Sequence, residues 1–420
     1  MNISLFIARR LQLKGTKRDT SSSSTIIAVA GVAIAIIVMA LTLSVVLGFK
    51  NQIREKVTGF ESQITINPAT DYTIGEVEHT ISFSDTLKNI ILPSLANCDS
   101  ATISLALKQP GIIKTDENFI GLVFKGIDNT SNNSFIKGNL IEGSFPDFGS
   151  DSCKNDIVVS STTASALNLS LGERVNTYFF SDGNIRARKF KIAGIYNSNF
   201  GEYDKLIAYA PLNTLQRIAN LDSLSGTSIE INGIDNESIY NKSYELQSAI
   251  NQAVYSQQLK KIYSVSNVYN SGAMYFNWLD LLDMNVVVIL ILMSCVSAIT
   301  LISCLFIIIL ERVRTIGLLK SLGATNAQIK RVFIYMTQRL VLRGMLLGNI
   351  ISLAFIYLQY FFHIIPLDPE AYYLNFVPVE INWLHIILLN IGVITISSLI
   401  LILPSHIVSK ISPAQTMKYE

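Results

Sequence analysis

The residue types that usually carry chemistry are sparse in this sequence and form no known catalytic motif. The chain has no G-x-x-x-x-G-K-[ST] phosphate loop, no H-E-x-x-H zinc motif and no G-x-S-x-G nucleophile elbow. The four histidines are scattered, and the last three lie next to the ends of apolar runs. The sequence therefore predicts no catalytic residue and no metal site.

The four cysteines also lack the spacing of a metal or redox motif. Cys295 and Cys304 are nine residues apart in one apolar run, which places them on opposite faces of a helix and favours a packing role. Cys98 and Cys153 lie in a more polar stretch and could pair, but the sequence alone does not decide this.

Four apolar runs dominate the 420 residues, of which 50% are hydrophobic and only 15% charged. An average globular chain is about 25% charged. The runs lie at about 26–48, 286–310, 340–362 and 384–404, and each approaches the ~20 residues that a helix needs to cross a bilayer. This pattern predicts a polytopic membrane protein and excludes a soluble enzyme, a nucleic-acid binder and a disordered chain.

The centres of these runs contain no Asp, Glu, Lys or Arg. Ion-coupled transporters usually need ionisable groups at that depth. A secondary transporter is therefore disfavoured, and any mechanical work must draw its energy from another subunit.

Charge is distributed unevenly between the segments that join the runs. Residues 1–25, 311–343 and 405–420 together carry a net charge of +11, whereas residues 49–283 carry −6 and residues 363–383 carry −3. Short basic segments remain in the cytoplasm. We therefore expect both termini and the 311–339 loop inside, and the two acidic segments outside.

These features define an expected organisation. The first run is too long for a signal-peptide core and should persist as an anchor, after an N-terminal segment that predicts an amphipathic helix. In chain order we expect a cytoplasmic helix at 1–25, a first span at 26–48, an outer domain at 49–284, a second span at 285–310, a cytoplasmic loop at 311–338, a third span at 339–362, an outer loop at 363–383, a fourth span at 384–404 and a cytoplasmic tail at 405–420.

The outer domain has the pattern of an α/β fold. Two β-α-β parts are expected to flank a β-rich insertion at about 140–225. Within the insertion, Asp182-Gly183 is a strong signal for a two-residue hairpin turn. Pro211 stands where a helix could start.

Small residues recur at helical spacing in two of the spans. Gly31 and Ala35 are four apart in the first, and Gly344, Gly348 and Ser352 are aligned in the third. Such spacing lets helix backbones approach closely, so we expect helix packing at these positions.

The loop after the second span is the most specific local feature. It predicts a short helix that ends at Gly323, followed at once by a capping box from Thr325 to Gln328. A short helix braced between two spanning helices can transmit force from a cytoplasmic partner, whereas the simpler interpretation is an ordinary basic loop. The apolar side chains available for docking are Ile316, Leu318, Leu319 and Leu322.

The loop resembles the signature of FtsX-like, MacB-type ABC transporter permeases, and Ser412-Pro413-Ala414 to Glu420 is similar to the C-terminal ending of that family. Gly48-Phe49 and the stretch Phe200 to Leu212 resemble the lipoprotein-releasing, LolC/LolE-type branch. Two positions depart from the pattern. Thr315 stands where the family often has Glu, and the hairpin tip is too short to form the carrier-binding hook of one paralogue.

The resemblance implies a MacB-like permease architecture: four transmembrane helices with a large α/β domain between the first two. It implies a non-catalytic subunit in the bacterial inner membrane, with ATP and Mg bound by a separate ABC ATPase and no cofactor on this chain. The other implied partners are a second permease copy or a paralogue, lipoprotein cargo and membrane lipids, and binding of a periplasmic carrier is left open. The residues expected to couple to the ATPase are Thr315, Ile316, Leu318, Leu319, Lys320, Leu322, Gly323 and Ala324.

A lipoprotein is held in the membrane by acyl chains, so its release requires an apolar cavity that replaces lipid. The outer ends of the first two spans are the expected walls. The cavity residues expected there are Val45, Val46, Phe49, Met284, Val287 and Leu290.

Two other functions fit the same resemblance. One is a permease for efflux of drugs or peptides, but the chain has no ATPase motif of its own, which weighs against the best-known members of that group. The other is a cell-division signalling permease that exports nothing, for which the outer domain is larger than usual.

Overall fold

The computed structural model describes residues 21–69, 80–96, 98, 100–181, 184–311 and 313–405. The predicted N-terminal amphipathic helix, the hairpin turn at Asp182-Gly183 and the C-terminal ending lie outside the described residues.

Among the described residues, four helices are long and apolar enough to cross a membrane. They are Ser21–Phe60, Ala273–Glu311, Asn326–Phe362 and Trp383–Ser405, and we name them spans 1 to 4. The first three are 40, 39 and 37 residues long. They therefore extend beyond the apolar runs, because the helical backbone continues through the polar residues that flank them. The predicted class is confirmed: four membrane helices with an α/β domain between the first two.

The chain divides into two compact units. The membrane unit contains Met1–Lys50, Leu279–Pro366 and Phe376–Glu420. The outer unit contains Asn51–Trp278 and Leu367–Asn375. Its sequence therefore includes the last residues of span 1, the first residues of span 2 and part of the connection between spans 3 and 4.

A single apolar core holds the membrane unit together. All four spans contribute to it, and so does a short helix, Val313–Ser321, which lies between spans 2 and 3 in sequence. We name this short helix the loop helix. Its side chain in the core is Ile316, which is fully buried.

The first part of the outer unit is a four-stranded antiparallel sheet. Its strands are β1 (Ile64–Pro68), β3 (Thr102–Lys114), β11 (Ser228–Asn232) and β12 (Tyr263–Asn267), in the order β12-β1-β11-β3. Helix Asp85–Ser94 connects β1 to β3, and helix Ile239–Tyr255 connects β11 to β12. Each β-α-β pair thus has a strand of the other pair between its own strands, which is the split β-α-β arrangement of ferredoxin-like folds.

The second part is a ring of strands built on the far half of β3. The added strands are β4 (Phe119–Ile127), β6 (Asp156–Ser160), β7 (Arg174–Ser181), β8 (Asn184–Tyr196) and β9 (Ile207–Pro211). Pairing runs β3-β4-β9-β6-β8, and β7 closes the ring because it pairs with both β8 and β3. Of the shorter strands, β5 (Leu140–Gly143) pairs with β8, and β2 (Ile81–Ser82) pairs with β10 (Ser225–Gly226). The ring begins at Leu107, before the predicted insertion at about 140–225, because β3 is long enough to serve both parts.

Two local predictions in this part are confirmed. Strands β7 and β8 form the antiparallel hairpin, with Ser181 opposite Asn184. Helix Leu212–Ala219 starts directly after Pro211, whose ring fixes a backbone angle suited to a helix start. Cys98 and Cys153 are both free thiols.

Candidate functional site

The C-terminal end of the loop helix is well defined. Gly323 has a φ of +90°, the left-handed conformation that glycine adopts without a steric cost. Its N–H donates to the Lys320 carbonyl at 3.0 Å, and the Ala324 N–H donates to the Leu319 carbonyl at 2.9 Å. This pair of bonds is a Schellman motif, so the helix stops at the residue that the sequence indicated.

Span 3 begins immediately afterwards with a complete capping box. The Thr325 hydroxyl accepts a hydrogen bond from the Gln328 N–H at 3.3 Å, and the Gln328 side chain accepts one from the Thr325 N–H at 2.9 Å. The predicted capping box is confirmed. Because both helices are terminated by local bonds, the turn between them is short and defined.

The predicted coupling residues separate into an inner and an outer set. Ile316 is fully buried in the membrane core, and Leu319 and Ala324 are half-buried against the same core. Leu318 and Leu322 are 62% and 76% exposed. These two leucines are one turn apart and share a face, so they are the apolar surface that the loop helix offers to a partner. Of the remaining predicted residues, Thr315 and Lys320 are half-buried and Gly323 is exposed.

Spans 1 and 3 pack with almost no space between their backbones. A Cβ atom added at Gly344 would lie 2.8 Å from the Val32 Cβ, and one added at Gly348 would lie 2.8 Å from the Ile36 Cβ. Both values are shorter than a normal carbon–carbon contact, so only glycine fits at these positions. Ser352, the third small residue of the row, is also buried.

The small residues of span 1 meet the neighbouring helices too. A Cβ at Gly31 would lie 2.8 Å from the Thr300 Cγ2 of span 2. Ala35 is buried in the membrane core. The predicted packing residues thus lie where span 1 contacts spans 2 and 3.

Sequence reasoning missed a polar contact between spans 3 and 4. The Asn349 side-chain amide donates to the Asn390 oxygen at 2.7 Å, and the Asn390 amide donates back at 3.1 Å. Each amide also donates to the carbonyl four residues earlier in its own helix, at 2.8 Å. Interhelical hydrogen bonds of this kind hold membrane helices together. The available signal was one Asn within each of two apolar runs, because a search for charged residues passes over neutral amides.

The six predicted cavity residues differ in how far they are exposed. Phe49 is buried, Val45 and Val46 are half-buried, and Leu290 packs against the membrane core. Met284 and Val287 are exposed on span 2. Their role in binding cargo remains a prediction.

The outer end of span 1 is fixed by bonds within the membrane unit. The Ser44 hydroxyl donates to the Glu380 carbonyl at 2.7 Å, and the Glu380 N–H donates to the Ser44 carbonyl at 3.0 Å. A Cβ at Gly48 would lie 2.9 Å from the backbone of Pro378 and Val379. Gly48 is therefore required by the close approach of the chain that precedes span 4.

An ion pair joins the outer ends of spans 1 and 2. The Lys50 Nζ lies 2.6 Å from a carboxylate oxygen of Asp283. The pair is partly exposed, so it contributes at most about 1 kcal/mol to stability. In the part of the chain that the structure describes, no three His, Cys, Asp or Glu side chains group in a way that could hold a metal ion.

Two protein-family models match the chain. Residues 25–242 match the model of the MacB-like periplasmic core domain, which is more than half of the chain. The chain belongs to this family. Residues 261–413 of this family member match a second model, the FtsX-like permease C-terminal domain. The predicted resemblance to FtsX-like, MacB-type permeases is confirmed, and the chain is a permease of this type.

Curated relatives match the permease along nearly its whole length. It is 22% identical to the lipoprotein-releasing system transmembrane protein LolC of Neisseria meningitidis serogroup B, over 97% of both chains. It is 19% identical to LolC of Xylella fastidiosa, over 93% of this chain and 92% of the relative. The protein named LolE in Haemophilus influenzae is 20% identical over 99% of both chains.

Two solved structures each match about half of the permease. The periplasmic region of MacB from Actinobacillus actinomycetemcomitans is 17% identical and aligns with 54% of this chain and 98% of its own, with a TM-score of 0.35. The extracellular domain of the ABC-type transporter YknZ from Gram-positive bacteria is 14% identical and aligns with 49% and 99%, with a TM-score of 0.34.

Proposed function

We propose that this permease is the membrane subunit of an ABC transporter that releases lipoproteins from the outer leaflet of the bacterial inner membrane. A separate ATPase supplies the energy by hydrolysing Mg-bound ATP, and the chain itself catalyses no reaction. The observation that carries the proposal is the loop helix, which presents Leu318 and Leu322 outward while Ile316 is anchored in the membrane core. The lipoprotein cargo is supported by full-length relatives named for lipoprotein release.

The geometry supports a mechanism of force transmission. An ATPase that binds the exposed leucines and then changes shape displaces the loop helix. Because Ile316 packs with side chains of the spans, the displacement reaches them directly. Spans 1 and 3 then move together, since the contacts at Gly344 and Gly348 leave no space for independent sliding.

The work to be done is the removal of acyl chains from lipid. Each buried CH₂ contributes about 0.8 kcal/mol, so extraction of one long acyl chain costs on the order of 10 kcal/mol. An apolar surface at the outer ends of spans 1 and 2 would offset much of this cost. Val287 and Met284 are the predicted cavity residues that are exposed enough to contact an acyl chain.

The proposed assembly contains a second permease subunit, either a copy or a paralogue, and two ATPase subunits. Both termini and the loop helix face the cytoplasm, and the outer unit lies in the periplasm. The supporting observation is the charge distribution, because the segment around the loop helix is basic and the outer segments are acidic.

Site-specific photo-crosslinking tests the cargo site. With a photoreactive residue at Val287, we expect capture of an acylated lipoprotein without ATP and loss of that product when ATP is added. Leu388, similarly exposed on span 4, is the control position and should give no ATP-sensitive product. Crosslinks to phospholipid alone, unchanged by ATP, would remove lipoprotein release as the proposed function and favour drug efflux or signalling.

A further inference from the structure

Three segments of the outer unit adjoin the spanning helices in sequence, two as parts of spans 1 and 2 and one within the connection between spans 3 and 4. They are Asn51–Phe60 at the end of span 1, Ala273–Trp278 at the start of span 2, and Leu367–Asn375 between spans 3 and 4. Within the outer unit, all three contact one short stretch of chain, Ser198–Asp204. We name this stretch the hub segment.

The ring of Phe200 is the centre of these contacts. It is fully buried, and its centroid lies 6.1 Å from that of Phe60, 4.9 Å from that of Tyr275 and 5.0 Å from that of Tyr373. These separations are in the range of favourable aromatic pairs. One side chain from each of the three connecting segments therefore packs on the same ring.

Hydrogen bonds also join the three connecting segments to the hub segment. The Lys56 Nζ donates to the Ser198 carbonyl at 2.5 Å and to the Tyr373 carbonyl at 2.6 Å. The hydroxyls of Tyr275 and Tyr373 both donate to the Glu202 carboxylate, the second at 3.4 Å. Each connecting segment thus contacts the hub segment through an aromatic ring that packs on Phe200 and through a hydrogen bond that involves either Lys56 or Glu202.

Local bonds fix the position of Phe200. The buried Asp204 carboxylate accepts from the Ser198 hydroxyl at 2.6 Å and from the Ser198 N–H at 3.2 Å, and the Ser198 oxygen accepts from the Phe200 N–H at 3.1 Å. Asn199 has a φ of +55°, a conformation that few residues other than glycine tolerate. These bonds hold the turn, and with it Phe200, in a defined conformation.

We propose that Phe200 is a positioning residue that holds the three connecting segments as one body, so that motion of the spans is delivered to the outer unit and to its cargo. This inference rests on the proposed function. It assigns a role to the sequence Phe200–Asp204, which has no part in the proposed coupling between the loop helix and the ATPase. Loss of the ring should uncouple ATP hydrolysis from lipoprotein release without abolishing either ATPase binding or folding.

The test compares two phenylalanines of the outer unit in the full-length permease, reconstituted with its ATPase in vesicles that contain a fluorescent triacylated lipoprotein. Phe179 is also fully buried, and it contacts the aromatic side chains of Phe124 and Phe190. It lies on strand β7, outside the connecting segments. We expect Phe200→Leu to lower the lipoprotein released per ATP hydrolysed by at least fivefold. Phe179→Leu should stay within twofold of the unmodified protein.

Equal ratios for Phe200→Leu and the unmodified permease would overturn the inference, and so would equal losses in both variants. If Phe200→Leu does not fold, Lys56→Met removes the polar bonds to the hub segment and is held to the same criterion. If the complex of the unmodified permease with its ATPase hydrolyses ATP but releases no lipoprotein, the proposed function fails, and hydrogen exchange still tests the role of Phe200. Phe200→Leu should then accelerate amide exchange at least tenfold in both 273–278 and 367–375, and unchanged exchange in either segment would overturn the inference.

Discussion

At the scale of single residues, the loop helix and the residue that follows it separate two roles within about two helical turns. Ile316 is buried with side chains of the spans, whereas Leu322, six residues later, is largely exposed. An exposed leucine next to basic residues contributes little to folding, because its side chain is not removed from water. Its conversion to a charged residue should therefore affect a partner and leave the fold intact.

Leu322→Asp should leave the permease inserted and folded but lower its apparent affinity for the ATPase at least tenfold, which corresponds to about 1.4 kcal/mol. The control is Leu224→Asp, also at an exposed leucine but in the outer unit. Binding is measured with the purified ATPase and the permease in nanodiscs. If Leu322→Asp and Leu224→Asp bind the ATPase equally well, the exposed face of the loop helix is not the docking surface.

A second residue-scale prediction concerns a buried ion pair in the outer unit. The Lys125 Nζ lies 2.9 Å from a Glu230 carboxylate oxygen, and both side chains are less than 10% exposed. Burial alone would raise the pKa of Glu230, but Lys125 reverses this effect and holds the pKa below its ordinary value. The pair therefore stabilises the fold above the ordinary glutamate pKa of about 4.3, and this stabilisation is lost as the pH falls through the lowered value.

Lys125→Met should destabilise the protein by about 3–5 kcal/mol at pH 7, because Glu230 then loses the charge that contributes most to offsetting its burial. Burial should now raise the pKa of Glu230, so the loss should be smaller at pH 5, where the carboxyl group takes up a proton. Glu230→Leu added to Lys125→Met should recover most of the stability. The measurement is chemical denaturation of the detergent-solubilised chain at both pH values, and a loss that does not change with pH would contradict this account.

At the scale of elements, the membrane unit depends on close helix contacts at glycines. Gly348→Ala should destabilise the unit by about 1–3 kcal/mol, because the added methyl group overlaps Ile36. Gly392→Ala in span 4 is the matched control, since no atom lies within 4 Å of its added Cβ. Thermal unfolding in detergent distinguishes them, and equal melting temperatures for the two variants would show that the contact between spans 1 and 3 is not tight.

The elements also show what a sequence can and cannot predict. The spans, the capping box at Thr325 and the hairpin of β7 and β8 follow from local patterns, and the structure has all three. The closure of the strand ring depends on β7 pairing with β3, across more than sixty residues, and no local pattern encodes that contact. For the same reason the hub around Phe200 could not be predicted, since its partners are distant in sequence.

The sequence predicted which residues form the coupling helix, but not which of their side chains face the membrane core. The sequence indicates an apolar helix between Thr315 and Ala324, yet its leucines and isoleucine are chemically similar. Which of them faces the core depends on how the loop helix lies against the spans, and only the structure shows that Ile316 is inside and Leu318 outside.

At the scale of the whole molecule, the charge distribution predicts the orientation in the membrane. Cysteines placed at positions 130 and 240 of a cysteine-free variant should react with a membrane-impermeant thiol reagent in intact spheroplasts, and one at position 326 should not. All three positions are exposed, so lack of reaction reports the side of the membrane and not burial. Labelling at 326 and not at 130 would mean that the orientation is reversed.

The central claim is that ATP hydrolysis by a partner drives this permease to release lipoproteins, and a reconstituted release assay tests it most directly. The full-length permease and its ATPase are placed in vesicles with a fluorescent triacylated lipoprotein, and the lipoprotein freed into solution is measured with and without Mg-ATP. We predict release that requires ATP, that is abolished by Leu322→Asp and that is retained in Leu224→Asp. ATP hydrolysis stimulated by the permease with no lipoprotein freed would contradict the claim.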